Sequence, residues 1–179
     1  MTHIYFVRHG LTKTNVKKVW TSSTDVPLSR IGIQQSKQLV ATFKNTKIDF
    51  IYVSPMSRTK TTAKWLATNR KLKIKIDNRL KERNFGKLEL KPTLQKDMLN
   101  MFDWYLNSDL GMNVEKIQDM YFKRIKPFIE EIIKKHKNKT VVVIAHSWVG
   151  RLFRFYFLNE NPFALTLTPI NCEPIEFKI

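Results

Sequence analysis

Thr140-Val141-Val142-Val143-Ile144-Ala145-His146-Ser147 is the stretch that decides the fold. Five consecutive apolar residues without alternation describe a strand buried on both faces, the mark of a central strand in a parallel sheet. Two similar runs lie upstream, His3–Val7 and Asp49–Val53, and longer helical patterns separate the three. Such alternation predicts an α/β three-layer sandwich, with a mainly parallel central sheet flanked by helices. Ser29 is placed to cap a helix whose apolar face would hold Ile33, Val40 and Phe43 with Leu39 beside them. Ser57 to Asn69 reads as a second helix, turning Ala63, Leu66 and Ala67 inward. Ile117, Tyr121, Ile125, Phe128 and Ile132 mark a long helix that Pro127 should kink or divide. Trp148 to Leu158 reads as the last helix, contributing Leu152, Phe153, Tyr156 and Phe157, and Ile175–Ile179 as an edge strand. The segment 87–113 is expected to form a short variable cap. Its helix would carry Met98, Met101, Phe102, Trp104 and Tyr105 along an amphipathic stripe.

A chain of 179 residues suits one domain, and 1–179 is read as such. No apolar run approaches the roughly 18–20 residues that span a bilayer. Met1-Thr2-His3 lacks the charged-then-apolar pattern of a secretory signal, so a cytoplasmic location without a membrane partner is expected. Cys172 is the one cysteine, which excludes an intramolecular disulfide and a four-cysteine zinc site. A net charge of +17 would draw anionic ligands in. Lysines are scattered through nearly every segment instead of forming a basic tail, so a solvated surface is preferred over nucleic-acid binding. Nothing in the pattern fixes an oligomeric state.

Each of the three strands delivers chemistry just past its carboxyl end. The first gives Arg8-His9-Gly10, the second Ser54-Pro55-Met56-Ser57-Arg58, the third His146-Ser147. Ligands of open α/β sheets bind outside these strand ends, so the three segments are expected to converge. A guanidinium suits phosphate geometry, an imidazole is close to neutral at working pH, and glycine permits close backbone approach. Arg58, in the first turn of a helix, has the wrong sign for a helix amino terminus. A phosphate between it and the free amides would resolve the conflict.

On these motifs the chain resembles the histidine phosphatase superfamily, which also contains the cofactor-dependent phosphoglycerate mutases. The resemblance runs through Val7 to Asn15, Asp25 to Gly32, Ser54 to Ala63, Leu80-Lys81-Glu82-Arg83-Asn84-Phe85-Gly86 and Val142 to Ser147, five motifs in the family's order. It implies a phosphoglycerate mutase-like fold and a phosphomonoesterase that needs neither metal nor cofactor and acts on a small phosphorylated metabolite. It implies His9 as the nucleophile, forming a phosphohistidine, with Arg8, Arg58 and His146 stabilising the phosphoryl oxygens. Asn15 is a further phosphate contact, and Glu82 the proton donor to the leaving group. Ser147, where a glycine is usual, would either crowd the phosphate or hydrogen-bond it. Leu11 and Leu90 also depart from the family's common residues, glutamate or glutamine and glycine respectively. A mutase is the second reading, weakened because the interval before His146 lacks paired arginines. A weakly catalytic binder of phosphorylated ligands or RNA is the third.

Overall fold

The computed structural model describes residues 1–93 and 113–179. Its centre is a five-stranded sheet of β1 (His3–Arg8), β2 (Phe50–Val53), β3 (Ile74–Ile76), β4 (Thr140–Ala145) and β5 (Pro174–Lys178), in the order β3-β2-β4-β1-β5. Only β5 runs antiparallel to its neighbour. Crossing the sheet back and forth requires helices, and those described are α1 (Lys13–Val16), α2 (Arg30–Thr42), α3 (Ser57–Arg70), α4 (Ile117–Asp119), α5 (Lys126–Lys135) and α6 (Ser147–Leu158).

The central strand β4 divides its side chains between two cores, as the pleat demands. Val142 and Ile144 meet Leu39 and Phe43 from α2 with Ala63 and Leu66 from α3. Val141, Val143 and Ala145 face the opposite way, onto Phe128 and Ile132 of α5 and Leu152 and Phe153 of α6. These five side chains of β4 are fully buried. At about 1.5–3 kcal/mol for each large one, this strand alone supplies much of the drive to assemble three layers.

Several expectations shift in detail. In α2 the buried face is Gly32, Ser36 and Leu39, with Phe43 just beyond the end, whereas Ile33 and Val40 are only half-buried. The reason is proximity: α2 lies so close to the β1 exit that small residues must occupy the contact. Pro127 does not interrupt the helical backbone: α4 passes through a π turn over Met120–Ile125 straight into α5, and the lost proline donor is accommodated by this change of register, in which Lys126 N–H bonds Tyr121 O. The edge strand β3 is an addition that the lysine alternation of Lys71 to Lys75 concealed. Leu90 adopts φ 60°, the left-handed conformation that favours glycine. The helix expected around Met98 to Tyr105 lies outside the described residues. None of the described helices is long and apolar enough to cross a membrane.

The turn after β1 shows why Gly10 and Gly32 are glycines. A Cβ on Gly32 would strike the Leu11 carbonyl, and one on Gly10 would strike the Gly32 carbonyl. Ser29 locks this junction by donating to Leu11 O at 2.9 Å and accepting from Gly32 N at 3.1 Å. Gly32→Ala is therefore expected to destabilise the fold by about 2 kcal/mol or more through overpacking. Urea unfolding checks it, and unchanged stability would contradict the close approach described.

Candidate active site

Parallel register brings the strand ends level. Arg8 of β1 pairs with Ala145 of β4, and Val53 of β2 with Ile144. Two backbone bonds continue past the strands, His9 N–H to Ala145 O at 3.0 Å and Ser54 N–H to Ile144 O at 3.1 Å. As a result His9 and His146 meet edge to face with ring centres 5.2 Å apart, 4% and 0% exposed.

Each imidazole is oriented by a partner. His9 Nδ1 lies 2.8 Å from the Gly10 carbonyl. A carbonyl only accepts, so Nδ1 carries the proton and Nε2 keeps its lone pair. His146 Nε2 lies 2.8 Å from Ser54 Oγ, while its buried Nδ1 has no partner among the described residues. Burial, reinforced by Arg58 and Arg8, pushes the pKa of His9 down to about 3. His146 is likewise held well below the usual imidazole range, by burial first and then by Arg58, His9 and Arg8. Both rings are neutral at working pH.

The cations around them are fixed at one end and open at the other. Arg8 donates from Nη1 to Pro169 O at 3.0 Å, and its buried Nε is unpartnered. Arg58, 2% exposed, donates to Thr24 O at 3.0 Å and Ser22 O at 2.8 Å. Its first-turn position in α3 is made tolerable by Asp25, whose carboxylate accepts from Ser57 N at 2.8 Å. Thr62 couples the two arms of the site, accepting from Gly10 N at 3.0 Å and donating to Arg58 O at 2.8 Å.

Glu82 lies where α6 begins. Its carboxylate accepts from the backbone N–H groups of Ser147 at 3.0 Å and Trp148 at 3.1 Å, and from that of Arg83 at 3.0 Å. Burial raises its pKa, and these N–H groups together with Arg8 and Arg58 pull the other way without cancelling the rise. The Ser147 amide is thus already engaged by Glu82. Asn15 sits in α1 with its carbonyl Oδ1 turned back to accept from Thr12 N at 3.1 Å, which leaves its amide N–H₂ as the outward donor.

Arg8, Asn15, Glu82 and Ser147 line a cleft of about 570 Å³. His9, Arg58 and His146 are buried and do not line it, but Arg8 and Arg58 act electrostatically on both histidines and on Glu82. Sequence reasoning missed the outer wall, where Lys18, Trp20, Trp148 and Arg151 face the cleft. It also missed Ser22 and Glu89 behind Arg58. Among the described residues, no three His, Cys, Asp or Glu side chains cluster as a metal site.

The chain is similar to known phosphatases in sequence and fold. Phosphoserine phosphatase 1 of Hydrogenobacter thermophilus is 28% identical over 152 residues, covering 82% of this chain and 72% of that protein. The adenosylcobalamin/alpha-ribazole phosphatase of Escherichia coli is 24% identical over 151 residues, covering 82% and 74%. The crystal structure of a phosphoserine phosphatase from Entamoeba histolytica, in complex with 3-phosphoglyceric acid, superposes with a TM-score of 0.81 at 24% identity. It covers 99% of this chain and 91% of that one. With the fold and the paired imidazoles, these define the class: a phosphatase/phosphoglycerate mutase-like enzyme. The chain belongs to the histidine phosphatase superfamily, branch 1, whose family model matches residues 4–173.

The depressed pKa of His9 carries a sign that can be measured. The unfolded chain takes up a proton near pH 6.5 while the folded protein resists until about 3, so His9 contributes stability above 6.5 that is lost as pH falls through this window. Urea titrations between about pH 7 and about pH 4 should show wild type losing stability on acidification more steeply than His9→Gln. Equal slopes would mean that His9 is not held neutral.

Proposed function

We propose that this protein is a phosphomonoesterase that hydrolyses a small phosphorylated metabolite through a phosphohistidine on His9, without a metal ion. The observation that carries this reading is the Nδ1 bond to Gly10 O, which leaves Nε2 as a fixed, unprotonated nucleophile. Nε2 attacks phosphorus, the P–N bond forms, and the bond to the ester oxygen breaks with its electron pair leaving on that oxygen. Arg8, through its unpaired Nε, and Arg58 neutralise the equatorial oxygens. Asn15 donates from its outward amide. His146 takes part in the tautomer whose Nε2 accepts a hydrogen bond from the Ser54 hydroxyl, so that its unpartnered Nδ1–H hydrogen-bonds the phosphoryl group. Ser147 adds its hydroxyl at the mouth.

Glu82 supplies the proton that the departing alkoxide needs. A carboxyl raised by burial gains a further push when a phosphate dianion arrives beside it, because two anions at close range share a proton. In the second step the same carboxylate takes a proton from water, which attacks the phosphohistidine and releases inorganic phosphate and neutral His9. The relatives named above, phosphatases for different metabolites, support the reaction type and leave the substrate open.

Hydrolysis of an aryl phosphate is expected to proceed with chelator present, and to fall by about 10⁴-fold in His9→Ala. Brief reaction of wild type with labelled substrate should yield a base-stable, acid-labile phosphoenzyme that His9→Ala does not form. Turnover surviving His9→Ala overturns the mechanism, and loss with chelator overturns metal independence. Glu82→Gln is expected to slow an alkyl phosphate by about 100-fold and an aryl phosphate far less, since a phenolate hardly needs the proton. Equal slowing of both esters would remove Glu82 from the role of acid.

A further inference from the structure

Glu89 stands outside the cleft, yet its carboxylate is the most heavily used acceptor near the site. It follows the 3-10 turn Gly86–Leu88, and the left-handed residue Leu90 comes immediately after it. Leu90 N–H is tied to Trp20 O at 2.8 Å and Trp20 N–H to Lys91 O at 2.9 Å, so the segment is held flat against residues 18–22. The turn thereby directs Glu89 inward. Oε1 accepts from Ser22 N at 2.9 Å and Thr24 N at 2.9 Å, and Oε2 from Ser22 N at 3.0 Å and from Ser22 Oγ. Ser22 Oγ in turn accepts from Phe85 N at 3.3 Å.

The same two loop residues present their carbonyls to Arg58. Ser22 O accepts from Nη2 and Thr24 O from Nη1. The loop is a bridge: its N–H groups belong to Glu89 and its carbonyls to the guanidinium. Arg58 and Ser22 are buried, 2% and 3% exposed, and Glu89 is half-buried, so the guanidinium end of the bridge cannot readily exchange its partners for water. A fully buried loop donor left unsatisfied costs about 1–3 kcal/mol, enough to move the loop if the carboxylate is withdrawn. Although burial opposes ionisation, the bonds from Ser22 and Thr24 hold the Glu89 carboxyl below its usual range and keep it a full acceptor.

We propose that Glu89 is a positioning residue for phosphoryl transfer, holding the Arg58 guanidinium, through Ser22 and Thr24, in the orientation that presents its remaining N–H donors to the phosphoryl group on His9. The inference rests on the role given to Arg58 above. Without Glu89 the positive charge persists, so attraction of the substrate survives while alignment with the transferring group is lost. kcat should therefore suffer more than KM.

The test is a double-mutant cycle with an aryl phosphate, measuring kcat and KM for wild type, Glu89→Gln, Arg58→Ala and the double variant, with the thermal midpoint of each in parallel. Glu89→Gln has the right shape but replaces an acceptor with a donor facing Ser22 N and Thr24 N. It is expected to lower kcat by about 10- to 100-fold, as a small misplacement does. The double variant should be no slower than Arg58→Ala alone. Losses that multiply instead would overturn action through Arg58 and reduce Glu89 to a prop for the fold. Full activity in Arg58→Ala would overturn both this inference and the role of Arg58 in the proposed mechanism. If Glu89→Gln fails to fold, Ser22→Ala, which removes the hydroxyl's bonds to Glu89 and from Phe85 N but keeps the loop's backbone N–H bonds to Glu89, goes through the same cycle under the same criteria.

Discussion

Everything in the site depends on the in-register parallel pairing of β1 and β2 with β4. Hydrogen bonds from His9 N–H and Ser54 N–H into the last carbonyls of β4 carry the sheet one residue beyond each strand. A slip of one residue in either pairing would reverse which face each side chain occupies and carry His9 or Ser54 away from His146. Because Val141 to Ala145 alternate between two separately packed cores, any such slip would drive each side chain into the packing of the other core, and the register is enforced by fit. Core packing and site geometry are thus one constraint, with the hydrophobic strand acting as the ruler for the chemistry.

Burial then does the electrostatic work. Two imidazoles enclosed with two guanidiniums have every reason to stay neutral, and one carboxylate in the same enclosure has reason to hold a proton. These tendencies are opposite in sign but have a common origin in desolvation, modified by the same arginines. The site stores positive charge on Arg8 and Arg58 and keeps its two imidazoles uncharged. Surface lysines extend the attraction outward, while the backbone N–H groups at the start of α6 keep Glu82 facing the cleft.

The strands that build the site were legible because each is a short apolar run closed by a polar residue with distinctive chemistry. His9, Arg58 and His146 could be placed by strand order alone, and Glu82 through family resemblance. What escaped notice obeys tertiary rules. Ile33 and Val40 looked like the inward face of α2, yet the nearby Gly10 turn admits only Gly32 and Ser36 at the contact. Glu89 was not singled out, since its partners Ser22 and Thr24 lie some sixty-five residues away in sequence. No local pattern announces such a partnership. Trp148 and Arg151 went unremarked within the last helix because a cleft wall and a core face share the same helical spacing.

The lysine alternation that hid β3 has its own consequence. A sheet edge presents unpaired backbone donors and acceptors, and a matching strand from another molecule can extend it without limit. On β3 the exposed Lys75, with Lys73 just ahead of it, would set positive charge against positive charge in any such pairing. At the far edge β5 carries Glu176 and Lys178, with Glu176 already held by His3 and Tyr5. The sheet is therefore closed at both rims by charge, so that growth into fibres is discouraged by the same basic composition that supplies the long-range pull on phosphorylated ligands.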